Sequence, residues 1–338
     1  MRYRLFGNTG LRISELILGA MTFGEQGGVG APIEECRKIL DEYAEAGGNT
    51  VDTAINYRDG ASETFLGELL EGRRDRFVLS TKYTVTRDPS DPNAGGNHRK
   101  NLVRSLETSL KRLGTDYVDI YWVHLYDRHT PIEETLRALD DVVRAGKVLY
   151  LGISDTPAWV VSRANTLADL RGWTAFNGLQ VPYSLLNRDI ERELLPMAEG
   201  FGMTVTAWSP LGGGVLSGKF TNGTAAPGTR LSASNVSEHD HAVARAVQEV
   251  ADDLGLTPSQ VAIAWTTARS RAVVPIIGAR TVEQLKDNLG AAGVVLPEEA
   301  VERLESATDF TLGFPNDFIA QTDGWVFGEA AQRIIGRS

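Results

Sequence analysis

The segment HRKNLVRSLETSLKRLGTDYVDIYWVH, residues 98–124, contains a helical pattern and a strand pattern in immediate succession. Gly114 separates the two patterns and predicts the end of the helix. Residues 117–124 then form an apolar run with the length of a buried strand. Leucines spaced by three or four residues place one apolar stripe on the helix: Leu102, Leu106, Leu110 and Leu113. A helix that leads directly into a strand is the repeating unit of an α/β fold.

The same alternation continues along the chain. Short apolar runs bounded by polar residues or glycine predict eight strands, at 16–20, 49–53, 76–82, 117–124, 147–154, 177–181, 203–208 and 272–278. Helical spacing predicts helices at 33–48, 62–71, 98–114, 133–145, 157–169, 188–200, 258–270 and 281–291. Such alternation requires parallel strands with helical crossovers, in an open doubly wound sheet or a closed barrel. The number of units favours a closed (β/α)8 TIM barrel.

Several regions lie outside these units. An N-terminal hairpin is predicted at GNTG, residues 7–10, and one further helix with an aromatic end is predicted after Leu296. Both are expected to cap the barrel. Residues 84–97 and 209–258 are predicted as long loops, which usually act as lids or binding loops. The whole chain, 1–338, is expected to form one domain.

Composition argues against several classes of partner. The net charge of -10 disfavours general affinity for nucleic acid or anionic membranes, because both require clustered cations. No segment approaches the roughly 18 consecutive apolar residues of a membrane span, and the N-terminus lacks a signal-sequence run. Cys36 is the only cysteine, so no intrachain disulfide can form. We expect a soluble cytoplasmic protein, whose oligomeric state the sequence leaves open.

Four reactive side chains fall at or just beyond consecutive strand ends, which form the active face of such a barrel: Asp52, Tyr57, Lys82 and His124. The pKa of a free tyrosine is about 10, and a neighbouring ammonium is expected to lower it toward neutrality. Asp52 would balance the charge of Lys82, and His124 would donate a hydrogen bond to a substrate carbonyl. Asp52, Tyr57 and Lys82 alone would each more often be structural, and His124 alone would be so equally often. Their coincidence on one face favours hydride delivery to a ketone or aldehyde.

The segments VDTAINY (51–57), STK (80–82) and WVHLYD (122–127) resemble the Asp, Tyr, Lys and His tetrad of the aldo-keto reductase family, over nearly the whole chain. The resemblance implies reduction of an aldehyde or ketone to an alcohol by direct hydride transfer, with NADPH as donor and NADP+ as product. It implies that Tyr57 is the general acid, tuned by Lys82 and Asp52, and that His124 positions the carbonyl. It also implies a cofactor site without a Rossmann domain, and no GxGxxG motif follows a predicted strand.

The resemblance further assigns cofactor contacts segment by segment. LGAMTFG provides groups for the nicotinamide ribose: Gly19, Ala20 and Met21. GIS and the residue after it provide Ser154 and Asp155 for the carboxamide, and LQVPYS provides Gln180. Asp52 is also counted among the cofactor contacts. AWSPLGGG provides an aromatic platform and phosphate contacts: Trp208, Ser209, Pro210, Leu211, Gly214 and, beyond them, Lys219. The glycines of 212–218 would let backbone N–H groups approach a pyrophosphate.

The segment PIIGARTVEQLKDN, residues 275–288, resembles the adenosine end of the family's site. It provides Gly278, Arg280, Gln284 and Asn288. A helix N-terminus that carries an arginine suits a ribose 2′-phosphate, so NADPH is expected in preference to NADH.

Two residues depart from the family pattern. Most members carry asparagine at the position of Asp155, and an ionised aspartate can accept from the carboxamide NH2 but cannot donate to its oxygen. Trp208 replaces the usual stacking tyrosine, as in the branch that includes potassium-channel β subunits and many bacterial reductases.

Two other classes are alternatives. The channel-associated branch suggests a cofactor-binding regulatory subunit with little turnover, although the complete tetrad favours an enzyme. HLYDRH (124–129) suggests a metal-dependent hydrolase, but only His124 would point inward from an extended strand, so no metal site is predicted. The substrate pocket is expected from the two long loops and the tail 323–328, and aldehydes, ketones, sugars and polyketide-derived carbonyls are not ranked.

Overall fold

The computed structural model describes residues 1–27, 30–219 and 236–334. The described chain begins with an antiparallel hairpin of β1 (Tyr3–Leu5) and β2 (Arg12–Ser14), which confirms the turn predicted at GNTG. Parallel strands follow: β3 (Ile17–Gly19), β4 (Thr50–Asp52), β5 (Val78–Lys82), β6 (Val118–Val123), β7 (Val148–Ser154), β8 (Phe176–Pro182), β9 (Thr204–Trp208) and β10 (Val273–Gly278). Within the described residues these eight strands form a closed barrel, because β10 pairs with both β3 and β9. The predicted (β/α)8 architecture is confirmed.

The described residues contain eleven α-helices, most of which cover the outside of the barrel. They are α1 (Ile33–Glu45), α2 (Ala61–Leu69), α3 (Arg99–Leu113), α4 (Ile132–Arg144), α5 (Ala158–Arg171), α6 (Leu194–Gly200), α7 (Glu238–Leu254), α8 (Pro258–Thr266), α9 (Val282–Leu289), α10 (Glu298–Ser306) and α11 (Asn316–Phe327). The leucine stripe predicted for α3 is buried against the barrel. Gly114 ends this helix with a left-handed φ of 61°, as its position predicts.

The barrel interior is filled from its amino-terminal end. Phe6, in the turn of the hairpin, lies edge-to-face on Trp122 with ring centroids 6.1 Å apart. The N–H of Gly7 donates to Oγ1 of Thr204, at the start of β9, over 2.7 Å. Trp122 fits because position 152 on β7 is glycine, where a Cβ would lie 2.1 Å from the indole. The hairpin therefore closes this end of the barrel, and the carboxyl-terminal end is left for a binding site.

Two predictions about connecting segments were wrong. Residues 209–258 do not form one loop, because α7 occupies their last third, whereas residues 220–235 lie outside the described residues. Ser237 begins α7 with a capping box to Asp240, and Val243, Val247 and Val250 form its buried face. After Leu296, the described tail contains two helices, α10 and α11, where one was predicted.

The tail helix α11 presents apolar side chains to solvent instead of capping the barrel. Trp325 is 82% exposed and Phe318 is 51% exposed. A contact to the rest of the chain is made by Asn316, whose side-chain amide donates to the carbonyl of Arg192 over 3.0 Å. The expectation that the tail caps the barrel is therefore not met by these side chains of α11.

A buried ion pair supports the loop between β4 and α2. Glu63, in the first turn of α2, is fully buried. Its carboxylate accepts hydrogen bonds from Oγ1 of Thr81 at 2.7 Å and from Nη1 of Arg112 at 3.1 Å. The same nitrogen of Arg112 also donates to the carbonyl of Ile55 over 2.9 Å. Helix α3 is thereby tied to α2, to β5 and to the loop.

This loop requires external support because its backbone is unfavourable. Arg58, Asp59 and Gly60 follow one another with positive φ angles of 53°, 54° and 92°. Left-handed conformations are uncommon for residues other than glycine and persist only where surrounding contacts enforce them. Nε of Arg58 donates to the carbonyl of Met21 over 3.0 Å, which ties the loop to the segment after β3 as well.

We expect Arg112→Met to lower the free energy of unfolding by about 3 kcal/mol, because the carboxylate of Glu63 would stay buried without its cation. Urea unfolding followed by circular dichroism measures the change. Arg104→Met is the matched control, since Arg104 lies on the same helix and pairs at the surface with Asp91; it should cost less than about 1 kcal/mol. Equal losses for the two variants would contradict the supporting role of the buried pair.

Candidate active site

A cleft of about 920 Å³ opens at the carboxyl-terminal ends of the barrel strands. Most of the residues selected from the sequence line it: Gly19, Met21, Asp52, Tyr57, His124, Ser154, Asp155, Gln180, Trp208, Ser209, Pro210, Leu211, Gly214, Lys219, Gly278, Arg280, Gln284 and Asn288. Ala20 does not line the cleft, because it is fully buried and its N–H donates to the carbonyl of Asp52 over 2.8 Å. The predicted cofactor contact of Ala20 is therefore not supported by its position. Lys82 lies behind the wall that Asp52 and Tyr57 form.

Lys82 is buried at 1% exposure and donates three hydrogen bonds. Its Nζ lies 2.5 Å from Oδ2 of Asp52, 2.7 Å from the carbonyl oxygen of Thr53 and 3.2 Å from Oη of Tyr57. Parallel pairing of β4 and β5 sets Asp52 opposite Ser80, which donates to the other carboxylate oxygen over 2.6 Å. Lys82, two residues further along β5, therefore reaches the loop that carries Tyr57.

The phenol of Tyr57 is protonated at neutral pH. Burial raises the pKa of Tyr57 above its ordinary value, and the positive charge of Lys82 opposes this shift without reversing it. Lys82 therefore acts on the pKa of Tyr57 in the expected direction, but in the protein alone burial outweighs it and the pKa is not lowered toward neutrality. Burial also acts to lower the pKa of Lys82, but the charges of Asp52 and Tyr57 outweigh it, so the net pKa is raised and the ammonium keeps its proton.

His124 is a neutral neighbour of Tyr57. The two rings stand nearly perpendicular, at 80°, with centroids 5.9 Å apart. Burial, and then the charge of Lys82, lower the pKa of His124 to about 3. Among the described residues Nδ1 of this ring is buried without a hydrogen-bond partner. The backbone N–H of His124 donates to Oγ1 of Thr84 over 3.2 Å, which fixes the end of β6.

Asp155 and Trp208 form a polar corner of the cleft. Asp155 follows β7 with a φ of 43°, a left-handed conformation that aspartate and asparagine tolerate better than most residues. Nε1 of Trp208 donates to Oδ1 of Asp155 over 3.3 Å. Burial raises the pKa of Asp155, whereas hydrogen bonds from Trp208 and Ser154 and the charge of Lys82 oppose that shift. Gln180 connects this corner to the tetrad, because its Nε2 donates to Oδ1 of Asp52 over 3.4 Å.

Three N–H groups of the glycine-rich turn after β9 form hydrogen bonds within the turn. Gly212, Gly213 and Gly214 have positive φ angles of 55°, 69° and 102°. Their N–H groups donate to the carbonyl of Ser209, to Oγ of Ser209 and to the carbonyl of Leu211, respectively. In the structure these three protons are bound within the turn, so the prediction that they receive a pyrophosphate is not supported by the partners they have here.

The start of α9 is also capped internally. Oγ1 of Thr281 accepts from the N–H of Gln284 at 3.3 Å, and Oε1 of Gln284 accepts from the N–H of Arg280 at 3.0 Å. Asn288 donates from its side chain to the carbonyl of Gly278 over 3.1 Å. Since these N–H groups are bound, recognition of an anion here would depend on the guanidinium of Arg280, which lines the cleft.

The cleft contains residues that sequence reasoning missed, among them Asn56, Leu125, Glu283 and Asp287. Asn56 adjoins Tyr57, and its Oδ1 is buried without a partner in the described part of the chain. Glu283 and Asp287 directly precede Gln284 and Asn288 on α9, which were selected from the sequence. Helical spacing was therefore the signal that could have identified them.

The substrate segments were predicted only in part. Val85 is the member of loop 84–97 that lines the cleft, and the tail 323–328 contributes none of its described residues. Within residues 1–27, 30–219 and 236–334, no group of three or more His, Cys, Asp and Glu side chains could hold a metal ion. No helix in these ranges is both long enough and apolar enough to cross a bilayer.

Comparisons with known proteins agree with this geometry. The sequence model of the Aldo/keto reductase family matches residues 15–309. The chain is 38% identical to a putative aryl-alcohol dehydrogenase of Saccharomyces cerevisiae, over 94% of this chain and 89% of that protein. It is likewise 38% identical to a norsolorinic acid reductase of Aspergillus flavus (94% and 84% covered) and to an aldo-keto reductase of Aspergillus calidoustus (94% and 85% covered). The chain is therefore an oxidoreductase that belongs to the aldo/keto reductase family.

Proposed function

We propose that this protein reduces aldehydes or ketones to alcohols with NADPH, and that Tyr57 is the proton donor. The observation that carries the proposal is the 3.2 Å contact between Oη of Tyr57, at the cleft wall, and the buried ammonium of Lys82. A phenol next to a fixed ammonium can release a proton and leave a stabilised phenolate. Membership of the aldo/keto reductase family supports a nicotinamide cofactor.

The cleft fits a dinucleotide. Its volume of about 920 Å³ lies within the range of ligand pockets, and a Cβ at Gly214 or Gly278 would meet no atom within 4 Å, so a ligand can approach the backbone closely. We assign the nicotinamide end to Gly19, Met21, Asp52, Ser154, Asp155, Gln180 and Trp208. We assign the phosphates to Ser209, Pro210, Leu211, Gly214 and Lys219, and the adenosine end to Gly278, Arg280, Gln284 and Asn288. The bound reduced cofactor supplies the hydride.

The side chains of the tetrad orient the substrate, supply the proton and stabilise the phenolate. Neutral His124 donates a hydrogen bond to the substrate oxygen and holds it beside Tyr57. Tyr57 gives its proton to that oxygen as negative charge develops on it. Lys82 stabilises the resulting phenolate, and Asp52 holds Lys82 in place at 2.5 Å.

We propose aromatic aldehydes and ketones as the substrate class. The name aryl-alcohol dehydrogenase, carried by a relative, supports aromatic substrates. The open end of the barrel also presents Leu125, Tyr126 and Trp208 partly exposed, and Trp159 lies exposed in the first turn of α5. Aromatic side chains around a cleft favour flat apolar ligands.

We also propose a cytoplasmic location for the protein. Its single cysteine, Cys36, is buried and free, which fits a reducing compartment.

Tyr57→Phe should lower kcat for reduction of an aromatic aldehyde by at least about 100-fold, because only the proton donor is removed. NADPH affinity, measured by fluorescence quenching, should change little. Tyr117→Phe is the control, since Tyr117 lies before β6, at the opposite end of the barrel, next to Asp75. Retention of most of the kcat by Tyr57→Phe would refute the assignment.

Arg280→Ala should raise the dissociation constant of NADPH by about tenfold or more, because a charge-assisted contact to the 2′-phosphate is lost. NADH lacks this phosphate, so its dissociation constant should change little. Calorimetric titration of both cofactors measures the difference. Arg303→Ala, in an exposed pair with Glu249 and Asp253, controls for the loss of a positive charge. Equal losses for the two cofactors would remove the 2′-phosphate assignment.

The reduction rate should show no titration near pH 6.5, the ordinary pKa of histidine. With a pKa of about 3, His124 stays neutral above that value, and the raised pKa of Tyr57 keeps the phenol protonated through neutrality. Profiles of kcat/KM for carbonyl reduction, which report the free enzyme, should therefore be flat between about pH 5.5 and 8. A fall through pH 6.5 that His124→Gln abolishes would show that the histidine titrates normally.

A further inference from the structure

We propose that the carboxylate of Asp155 selects the oxidised cofactor, so that the cleft binds NADP+ more tightly, relative to NADPH, than it would with an uncharged residue at this position. The inference rests on the proposed function and adds a determinant of cofactor redox state. Asparagine and aspartate differ here by one charge at nearly constant shape, so the effect can be isolated.

The proposed reaction would require the nicotinamide ring to lie near Asp155. Carbonyl reduction delivers hydride to the carbon whose oxygen receives the proton of Tyr57, so the hydride donor has to lie within a few ångströms of that phenol. Asp155 shares the cleft wall with Tyr57. Its N–H donates to the carbonyl of Gln180 over 3.2 Å, and the side chain of Gln180 donates to Asp52.

The charge on the ring changes during the reaction. A hydride, one proton with two electrons, leaves NADPH for the carbonyl carbon, the phenol proton goes to the carbonyl oxygen, and the cofactor becomes NADP+ with one positive charge on its ring. A nearby negative charge stabilises the oxidised form and has no matching effect on the neutral dihydropyridine. The phosphates and the adenosine are the same in both forms, so groups that contact them affect both forms alike.

The other charges around the tetrad leave Asp155 as the unbalanced one. The ammonium of Lys82 is compensated by Asp52 at 2.5 Å. Tyr57 is protonated, since its pKa is raised, and His124 is neutral, since its pKa is about 3. Ser154 and Trp208 carry no charge, and Trp208 adds a hydrogen bond to the carboxylate from its indole N–H. The net charge at this end of the cleft is therefore set by Asp155.

Asp155→Asn is a mild substitution for the backbone and for this hydrogen bond. Asparagine adopts the left-handed region as readily as aspartate, so the φ of 43° can be kept. Its amide oxygen can still accept from Nε1 of Trp208. The variant thus removes the charge and preserves the corner.

The test is the ratio of two dissociation constants, for NADPH and for NADP+, measured without substrate by calorimetric titration of the full-length protein at about pH 8. We expect the ratio of the NADPH constant to the NADP+ constant to fall by about tenfold in Asp155→Asn, equivalent to about 1.4 kcal/mol. Glu283→Gln is the matched control. It also removes a carboxylate from the cleft wall, but from α9, beside Arg280, where the two cofactor forms are identical. Its ratio should equal that of the unaltered protein.

The outcomes separate this inference from the function on which it rests. If the unaltered protein binds neither cofactor form, both fail. If it binds both forms and Asp155→Asn leaves the ratio within about twofold, the charge effect is overturned and the proposed function stands. An equal change of the ratio in Glu283→Gln would assign the effect to the overall charge of the cleft and overturn the role of Asp155.

Discussion

The buried ion pair between Lys82 and Asp52 is the interaction on which the candidate site depends. An ammonium at 1% exposure is strongly destabilising without an opposite charge, and Asp52 supplies it at 2.5 Å. Because the two residues end neighbouring strands, the pair also joins β4 to β5 at the cleft. The remaining hydrogen bonds of the ammonium hold Thr53 and Tyr57, so one cation organises the first residues of the strained loop.

The ammonium of Lys82 also influences the protonation of its neighbours. It opposes the effect of burial on Tyr57 and helps to keep the imidazole of His124 uncharged. The site therefore holds one permanent cation, one protonated phenol and one neutral histidine within a few ångströms of one another. In this arrangement a proton is available from Tyr57, and the group that will stabilise the phenolate is in place before any ligand arrives.

Much of the fold was predictable because apolar runs and helical apolar stripes alternate along the sequence. Each strand end could be located from a short apolar run, and the leucine stripe of α3 and the stop at Gly114 appear in the structure as expected. Helix α7 was missed because the glycines and prolines before it suggested a continuous loop, although Ser237 and Asp240 form a recognisable capping box. Helix α11 was not predicted, since aromatic residues near a chain end do not distinguish a loop from an exposed helix.

The electrostatics of the site was harder to anticipate. The position of Lys82 relative to Tyr57 followed from strand order, but the direction of the pKa shift of Tyr57 depends on how much water is excluded, and sequence does not carry that quantity. The internally bound amides of Gly212, Gly213 and Gly214 are a second case, because three glycines suit both an open anion cradle and a closed turn. Only coordinates separate the two.

The hairpin that seats Phe6 against Trp122 has a consequence for how this scaffold can change. At the end of the barrel remote from the cleft, the interior is filled by a cluster that includes Phe6, Trp122 and Ile120. Segments around the mouth that lie outside this cluster can accordingly be exchanged between homologous proteins without repacking it. Chimeras built in this way would inherit a new preference for carbonyl compounds while keeping the packing of this cluster.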